Sequence, residues 1–80
     1  MRRWVSSPSY AVVVQVLRAA RESAGLSQAE LAKRLSKPPS YVAKVELKER
    51  RVDVVEFIEF LRAAGADESA AFIAVAAAIS

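Results

Sequence analysis

The stretch from Ser27 to Glu46, SQAELAKRLSKPPSYVAKVE, decides the fold of this chain. Ser27 is a residue type that caps helix N-termini, and Glu30, three residues later, completes a capping box. Leu31 and Leu35 then lie on one helix face, one turn apart. The pattern therefore predicts a short helix that begins directly after Ser27.

The two prolines that follow end this helix and begin another. A proline biases the residue before it away from the helical region, so the segment SKPP at 36–39 should contain a turn. Pro39 suits the first turn of a new helix, where its missing N–H costs nothing. Val42 and Val45 then follow at helical spacing. Two short helices joined by a tight turn are the layout of a DNA-binding helix-turn-helix, although an ordinary αα-hairpin of a small bundle has the same pattern.

The composition argues against most other classes of function. Eighty residues predict one small domain, and the chain has no cysteine and no histidine, which removes disulfides, the usual general base and the commonest metal ligand. The sequence also lacks a glycine-rich phosphate loop, a metal-ligand cluster and an apolar run long enough to cross a membrane. We therefore expect no enzyme activity, no metal, no cofactor and no membrane association, and a cytoplasmic location.

The charge is unevenly distributed along the chain. Residues 33–51 carry a net charge of +5, whereas residues 52–80 carry −4. The basic segment coincides with the turn and the second helix of the motif. A polyanion such as DNA is expected to meet this end of the domain.

The rest of the chain predicts three more helices and no strand, which gives an all-α, five-helix domain. The first helix is expected from about Pro8 to Ala24, the fourth from Asp53 to Gly65, and the fifth from about Asp67 to Ile79. The expected inward residues are Tyr10, Val13, Val14, Leu17 and Ala24 in the first helix and Val54, Phe57, Ile58 and Leu61 in the fourth. In the fifth helix, Phe72, Val75, Ala76 and Ile79 recur at helical spacing.

The fifth helix is apolar and rich in alanine, so it has two possible roles. It can pack on the first helix of its own chain, or it can present Phe72, Val75, Ala76 and Ile79 to a second copy. We favour the second role and predict a homodimer. The expected domain division is an N-terminal arm at 1–7, a DNA-binding domain at 8–65, and a dimerisation helix at 66–80.

From Leu17 to Gly65 the chain resembles the lambda-repressor-like (Cro/repressor, Xre-type) DNA-binding family. The matching segments are LRAARESAGLSQAELAKRL, SYVAKVE and ERRVDVVEF, and the resemblance covers about residues 8–65. It implies a small bacterial or phage regulator that places a recognition helix at about 39–47 in the major groove of double-stranded DNA. It also implies a structural ion pair between Arg21 and Glu46, in which a planar guanidinium meets a carboxylate in two hydrogen bonds.

The family positions also suggest which residues contact DNA. The expected base contacts are Pro39, Ser40, Tyr41 and Lys44, and the expected phosphate contacts are Ser27, Gln28, Lys37, Lys48, Arg50 and Arg51. Many family members carry glutamine at the position of Pro39, and proline cannot grip adenine as glutamine does. Base readout should therefore depend on Ser40 and Lys44, while Tyr41 is equally consistent with a packing role.

Three points stay open at this stage. The family often has glycine at the positions of Ser36 and Lys48, so these turns either keep a costly positive φ or are remodelled. Arg2, Arg3 and Trp4 are expected to fray, although a basic arm can also enter a minor groove and Trp4 can cover the fifth helix. The alternative function is an antitoxin-like module whose C-terminal helix binds a partner protein.

Overall fold

A computed structural model describes residues 3–79 of the chain. Within this range a short 3-10 helix, Arg3–Ser6, precedes five α-helices and there is no strand. The helices are α1 Pro8–Ser23, α2 Gln28–Arg34, α3 Tyr41–Glu46, α4 Val54–Ala63 and α5 Glu68–Ala78. The expected all-α, five-helix architecture is confirmed.

Local capping chemistry sets the starts of the helices. Ser7 accepts a hydrogen bond from the Tyr10 N–H at the start of α1. Ser27 with Glu30, and Asp53 with Glu56, form complete capping boxes at the starts of α2 and α4. The start of α3 differs from the expectation, because the Pro38 carbonyl accepts a hydrogen bond from the Tyr41 N–H and closes a turn through Pro39 and Ser40. The helix therefore begins at Tyr41 rather than Pro39.

The first four helices end in one recurring loop. The backbone N–H groups of Leu26, Lys37, Glu49 and Ala66 each bond back to the carbonyl five residues earlier. This is the Schellman bond, and it needs a left-handed residue just before the donor. Those residues are Gly25, Ser36, Lys48 and Gly65, with φ of 70°, 56°, 62° and 73°. Ser36 and Lys48 thus keep the glycine geometry instead of remodelling their turns.

One hydrophobic core joins all five helices. Its largest fully buried side chains are Leu17, Leu31, Val42, Val45, Phe60 and Leu61. Two inward expectations were wrong: Ala24 is exposed because it lies beyond the last turn of α1, and Val54 is exposed at the first position of α4. Phe60, absent from the expected set, fills the centre instead.

The fifth helix packs on its own chain. Ala71 and Val75 are buried, and α5 lies against α1 and α4. The predicted dimer contact through Val75 is therefore wrong, because this side chain belongs to the core of its own chain. Phe72 and Ile79 remain partly exposed, Ala76 is exposed, and Phe72 also packs edge-on against Phe57 with ring centroids 5.0 Å apart.

The N-terminal segment is folded from Trp4 onward rather than frayed. The Trp4 ring packs edge-on against Tyr10 at 5.1 Å between centroids, and the guanidinium of Arg51 lies over both rings. Arg2 and the side chain of Arg3, which belong to the predicted arm, lie outside the described residues.

The two left-handed non-glycine residues give a direct test of this helix-end geometry. We expect Ser36→Gly and Lys48→Gly each to stabilise the domain by about 0.5–1 kcal/mol, because the strain that a side chain suffers at positive φ exceeds the extra chain entropy of glycine. Urea unfolding followed by circular dichroism measures the change.

Lys33→Gly is the matched control, since Lys33 is an exposed lysine within α2. It should destabilise the domain by about 1 kcal/mol. Equal destabilisation by Lys48→Gly and Lys33→Gly would contradict the left-handed geometry.

Candidate nucleic-acid interface

A buried ion pair fixes the end of α3. Arg21 Nε donates to Glu46 Oε2 at 2.7 Å, and Arg21 Nη2 donates to Glu46 Oε1 at 3.0 Å. The two side chains are only 11% and 2% exposed. The hydrogen bond to Glu46 raises the pKa of Arg21, so the guanidinium stays charged at neutral pH. The structure thus brings together the two residues that the family resemblance paired.

Two further hydrogen bonds extend this pair to the start of α2. Arg21 Nη1 donates to the Leu26 carbonyl at 2.8 Å, and Gln28 Nε2 donates to Glu46 Oε1 at 2.9 Å. Glu46 therefore accepts three hydrogen bonds, which is what a buried carboxylate needs. The side chain of Gln28 is held inward, and only its remaining amide hydrogen and its oxygen are available to another ligand.

The third helix has one buried and one exposed face. Tyr41, Val42, Val45 and Glu46 are buried. The exposed or half-exposed positions are Pro39, Ser40, Ala43, Lys44 and Leu47. Three of the four expected base contacts, Pro39, Ser40 and Lys44, are thus on the exposed side.

Tyr41, the fourth expected base contact, is instead a packing residue. It is only 7% exposed and belongs to the core cluster. Two cations also lie over its ring, with Lys37 Nζ 5.4 Å and Arg50 Cζ 5.0 Å from the ring centroid. Burial raises the pKa of its hydroxyl, which therefore stays protonated at neutral pH.

Arg50 is bound within the protein. Its guanidinium makes two hydrogen bonds to Glu56, the shorter from Nη2 to Oε2 at 2.7 Å, and one to the Arg51 carbonyl. The Asp53 backbone N–H and Arg50 both donate to Glu56 and lower its pKa. This arrangement ties the start of α4 to the ring of Tyr41 at the start of α3.

The remaining expected DNA-contact residues differ in their position and in their contacts within the protein. Lys37, Ser40, Lys44 and Arg50 line one surface cavity beside α3. Lys44 and Lys48 form no ion pair with any described residue. Arg51, by contrast, lies over Trp4 and Tyr10 near the start of α1. The hydroxyl of Ser27 accepts the Glu30 N–H of its own cap.

Sequence reasoning missed Ala43 and Leu47 on the exposed side of α3. Leu47 is 67% exposed. Helical spacing was sufficient to find both, because residues 40, 43, 44 and 47 recur at the intervals of one helix face.

Comparison with known proteins agrees with this geometry. A helix-turn-helix family model matches residues 17–69, which include the whole of α2 and α3. A solved structure of an XRE-family like protein from Pseudomonas syringae pv. tomato str. DC3000 is 42% identical, with a TM-score of 0.83. The match covers 90% of this chain and 88% of that chain. No curated protein matches the sequence.

The fold and the exposed α3 define a helix-turn-helix protein of the DNA-binding regulator class. The chain belongs to the Xre-type helix-turn-helix family. None of the helices between residues 3 and 79 has the length and apolar character needed to cross a membrane.

The ion pair between Arg21 and Glu46 predicts a large and coupled loss of stability. We expect Glu46→Ala to cost about 3–5 kcal/mol, because the guanidinium of Arg21 would be left buried without its carboxylate. A double-mutant cycle with Arg21→Ala, measured by chemical unfolding, should show strong non-additivity.

Arg18 and Glu22, on the same helix, supply the control. Their side chains are 58% and 57% exposed, and their closest contact is 3.4 Å. Glu22→Ala should cost no more than about 0.5 kcal/mol. Additive effects of the Arg21 and Glu46 substitutions would rule out the coupled pair.

Proposed function

We propose that the protein is a homodimeric transcriptional regulator that binds specific sequences of double-stranded DNA with α3 in the major groove. The observation that carries this proposal is the exposed side of α3, where Ser40 and Lys44 line one surface cavity with Lys37, and neither lysine forms an ion pair with a described residue. The buried network at Arg21 and Glu46 supports the same role, because it holds this helix at a fixed orientation.

Lys44 and Ser40 are the proposed hydrogen-bonding readers of base edges. A lysine ammonium can donate to the O6 and N7 atoms of guanine, and a serine hydroxyl can bond to several bases. Pro39 offers only an apolar contact. Tyr41 is left out of the proposed base contacts because its ring is buried.

Lys37 and Lys48 are the strongest proposed phosphate contacts. Neither lysine forms an ion pair with a described residue, and one lies before α3 and the other after it. Gln28 can donate its second amide hydrogen to a phosphate, and Ser27 lies beside it at the start of α2. Arg50 would have to share its guanidinium with Glu56, and Arg51 reaches DNA only if the surface near Trp4 also approaches the duplex.

Selection from a genomic fragment library at near-physiological salt tests specific binding. We expect enrichment of paired half-sites about 34 Å apart, one helical turn of DNA. Lys44→Ala should weaken binding to the enriched site by roughly tenfold or more, since a good base contact contributes about 1–3 kcal/mol of discrimination.

Arg62→Ala is the charge-matched control. Arg62 lies on α4 and pairs with Glu68 at 2.8 Å, so its loss changes the net charge without touching the α3 face. Uniform, salt-sensitive binding to all fragments, equally weakened by both substitutions, would contradict sequence-specific reading by α3.

The homodimer is proposed from the apolar side chains that α5 leaves exposed. Phe72 and Ile79 are partly exposed and Ala76 lies between them on the same flank. Phe72 also borders a surface groove with Tyr10, Val13 and Phe57. Burying this flank against a second copy would remove apolar surface from water, which is the main driving force of such contacts.

Ala76→Lys is expected to convert the dimer to a monomer, because it places a charge in the middle of the proposed contact. Ala74→Lys is the matched control, with the same substitution on the other exposed flank of α5. Multi-angle light scattering measures the mass of each variant, and circular dichroism checks that both stay folded.

A dimer that survives Ala76→Lys would overturn this contact. A wild-type monomer in solution would favour the second candidate function, an antitoxin-like module whose exposed α5 flank binds a different protein. The same exposed apolar residues, Phe72 and Ile79, support that alternative.

A further inference from the structure

We infer that Leu47, together with Ala43, reads thymine methyl groups in the DNA site. This inference rests on the proposed DNA-binding function and extends it to the chemistry of the bases read. Its starting point is a leucine that is 67% exposed at the end of the proposed recognition helix and contributes little to the core.

Leu47 continues the exposed face of α3 although it follows the last helical residue. The Leu47 N–H donates to the Ala43 carbonyl at 2.9 Å, and the Lys44 N–H donates to the Ser40 carbonyl at 3.0 Å. Both are helical i to i−4 bonds, and Leu47 has φ −86° and ψ 1°. Residues 40, 43, 44 and 47 therefore form one continuous surface.

This surface contains few hydrogen-bonding groups. Ser40 supplies one hydroxyl and Lys44 one ammonium, whereas Ala43 and Leu47 supply only methyl groups. In the major groove, the one apolar group that a base edge presents is the C5-methyl of thymine. An apolar side chain on a groove-facing helix thus matches thymine and leaves other base edges without a hydrogen-bond partner.

Charge places Leu47 on the DNA side of the molecule rather than at a contact between copies. Its neighbours along the chain and on the face are Lys44 and Lys48, both without an ion pair among the described residues. A contact between two copies through this face would bring these like charges together. A phosphate-lined groove would neutralise them.

The test couples a methyl deletion in DNA to a side-chain deletion in the protein. The probe is the site obtained by library selection, with each thymine replaced in turn by deoxyuridine, which removes only the C5-methyl. We expect at least one replacement to weaken wild-type binding by about three- to fivefold, the size expected for one buried methyl group. For Leu47→Ala that replacement should have no effect.

Two controls isolate the contact. Deoxyuridine at thymines outside the half-sites should leave binding unchanged. Ile73→Ala removes a side chain of the same size, 70% exposed, from α5, and should retain the full response to the replacement.

The outcomes separate this inference from the proposed function. A thymine replacement that weakens binding of the wild type but not of Leu47→Ala supports both the methyl contact and specific DNA binding. An enriched site at which Leu47→Ala responds to every replacement as the wild type does overturns the methyl contact and leaves specific DNA binding intact. The absence of any enriched site overturns both.

Discussion

The hydrogen bonds between Arg21 and Glu46 hold the helix-turn-helix together. This one guanidinium bonds to the last residue of α3 and to the Leu26 carbonyl ahead of α2, while Gln28 of α2 bonds to the same carboxylate. Three helices therefore meet at one buried charge pair. Such a pair contributes little net stability compared with an apolar contact, but it tolerates only one geometry. A six-residue helix with the proposed role of presenting its side chains to a DNA groove needs such a fixed geometry.

The opposite end of α3 is held by different chemistry. Tyr41 is buried there with Arg50 over its ring, and Arg50 is bound in turn by Glu56 at the start of α4. Arg50, which was expected to contact a phosphate, is therefore bound within the protein. The positive charge of residues 33–51 is thus divided between holding the helix and remaining open to a ligand. Lys37, Lys44 and Lys48, which lie on or beside α3, form no ion pair with a described residue.

Features set by local chemistry were predictable from the sequence. The capping box of Ser27 and Glu30 was predicted because a cap depends on residues three positions apart. Tertiary packing was harder to foresee. The spacing of apolar residues did not show that Phe60 rather than Val54 faces the core, or that Tyr41 is buried. Nor could the charge pattern show that Arg50 is bound by Glu56, because that pairing depends on where the loop after α3 returns the chain.

Lys48 shows how the fold and its proposed function make opposing demands on one residue. The Schellman loop after α3 needs a left-handed residue, and glycine fills that place after α1 and α4. A lysine there costs stability through its Cβ, yet it places a cation one residue beyond the exposed leucine of the α3 face. Ser36 carries the same strain without a charge, so strain alone does not explain the lysine. Stability favours glycine at position 48, whereas the proposed phosphate contact favours lysine, which is the residue present.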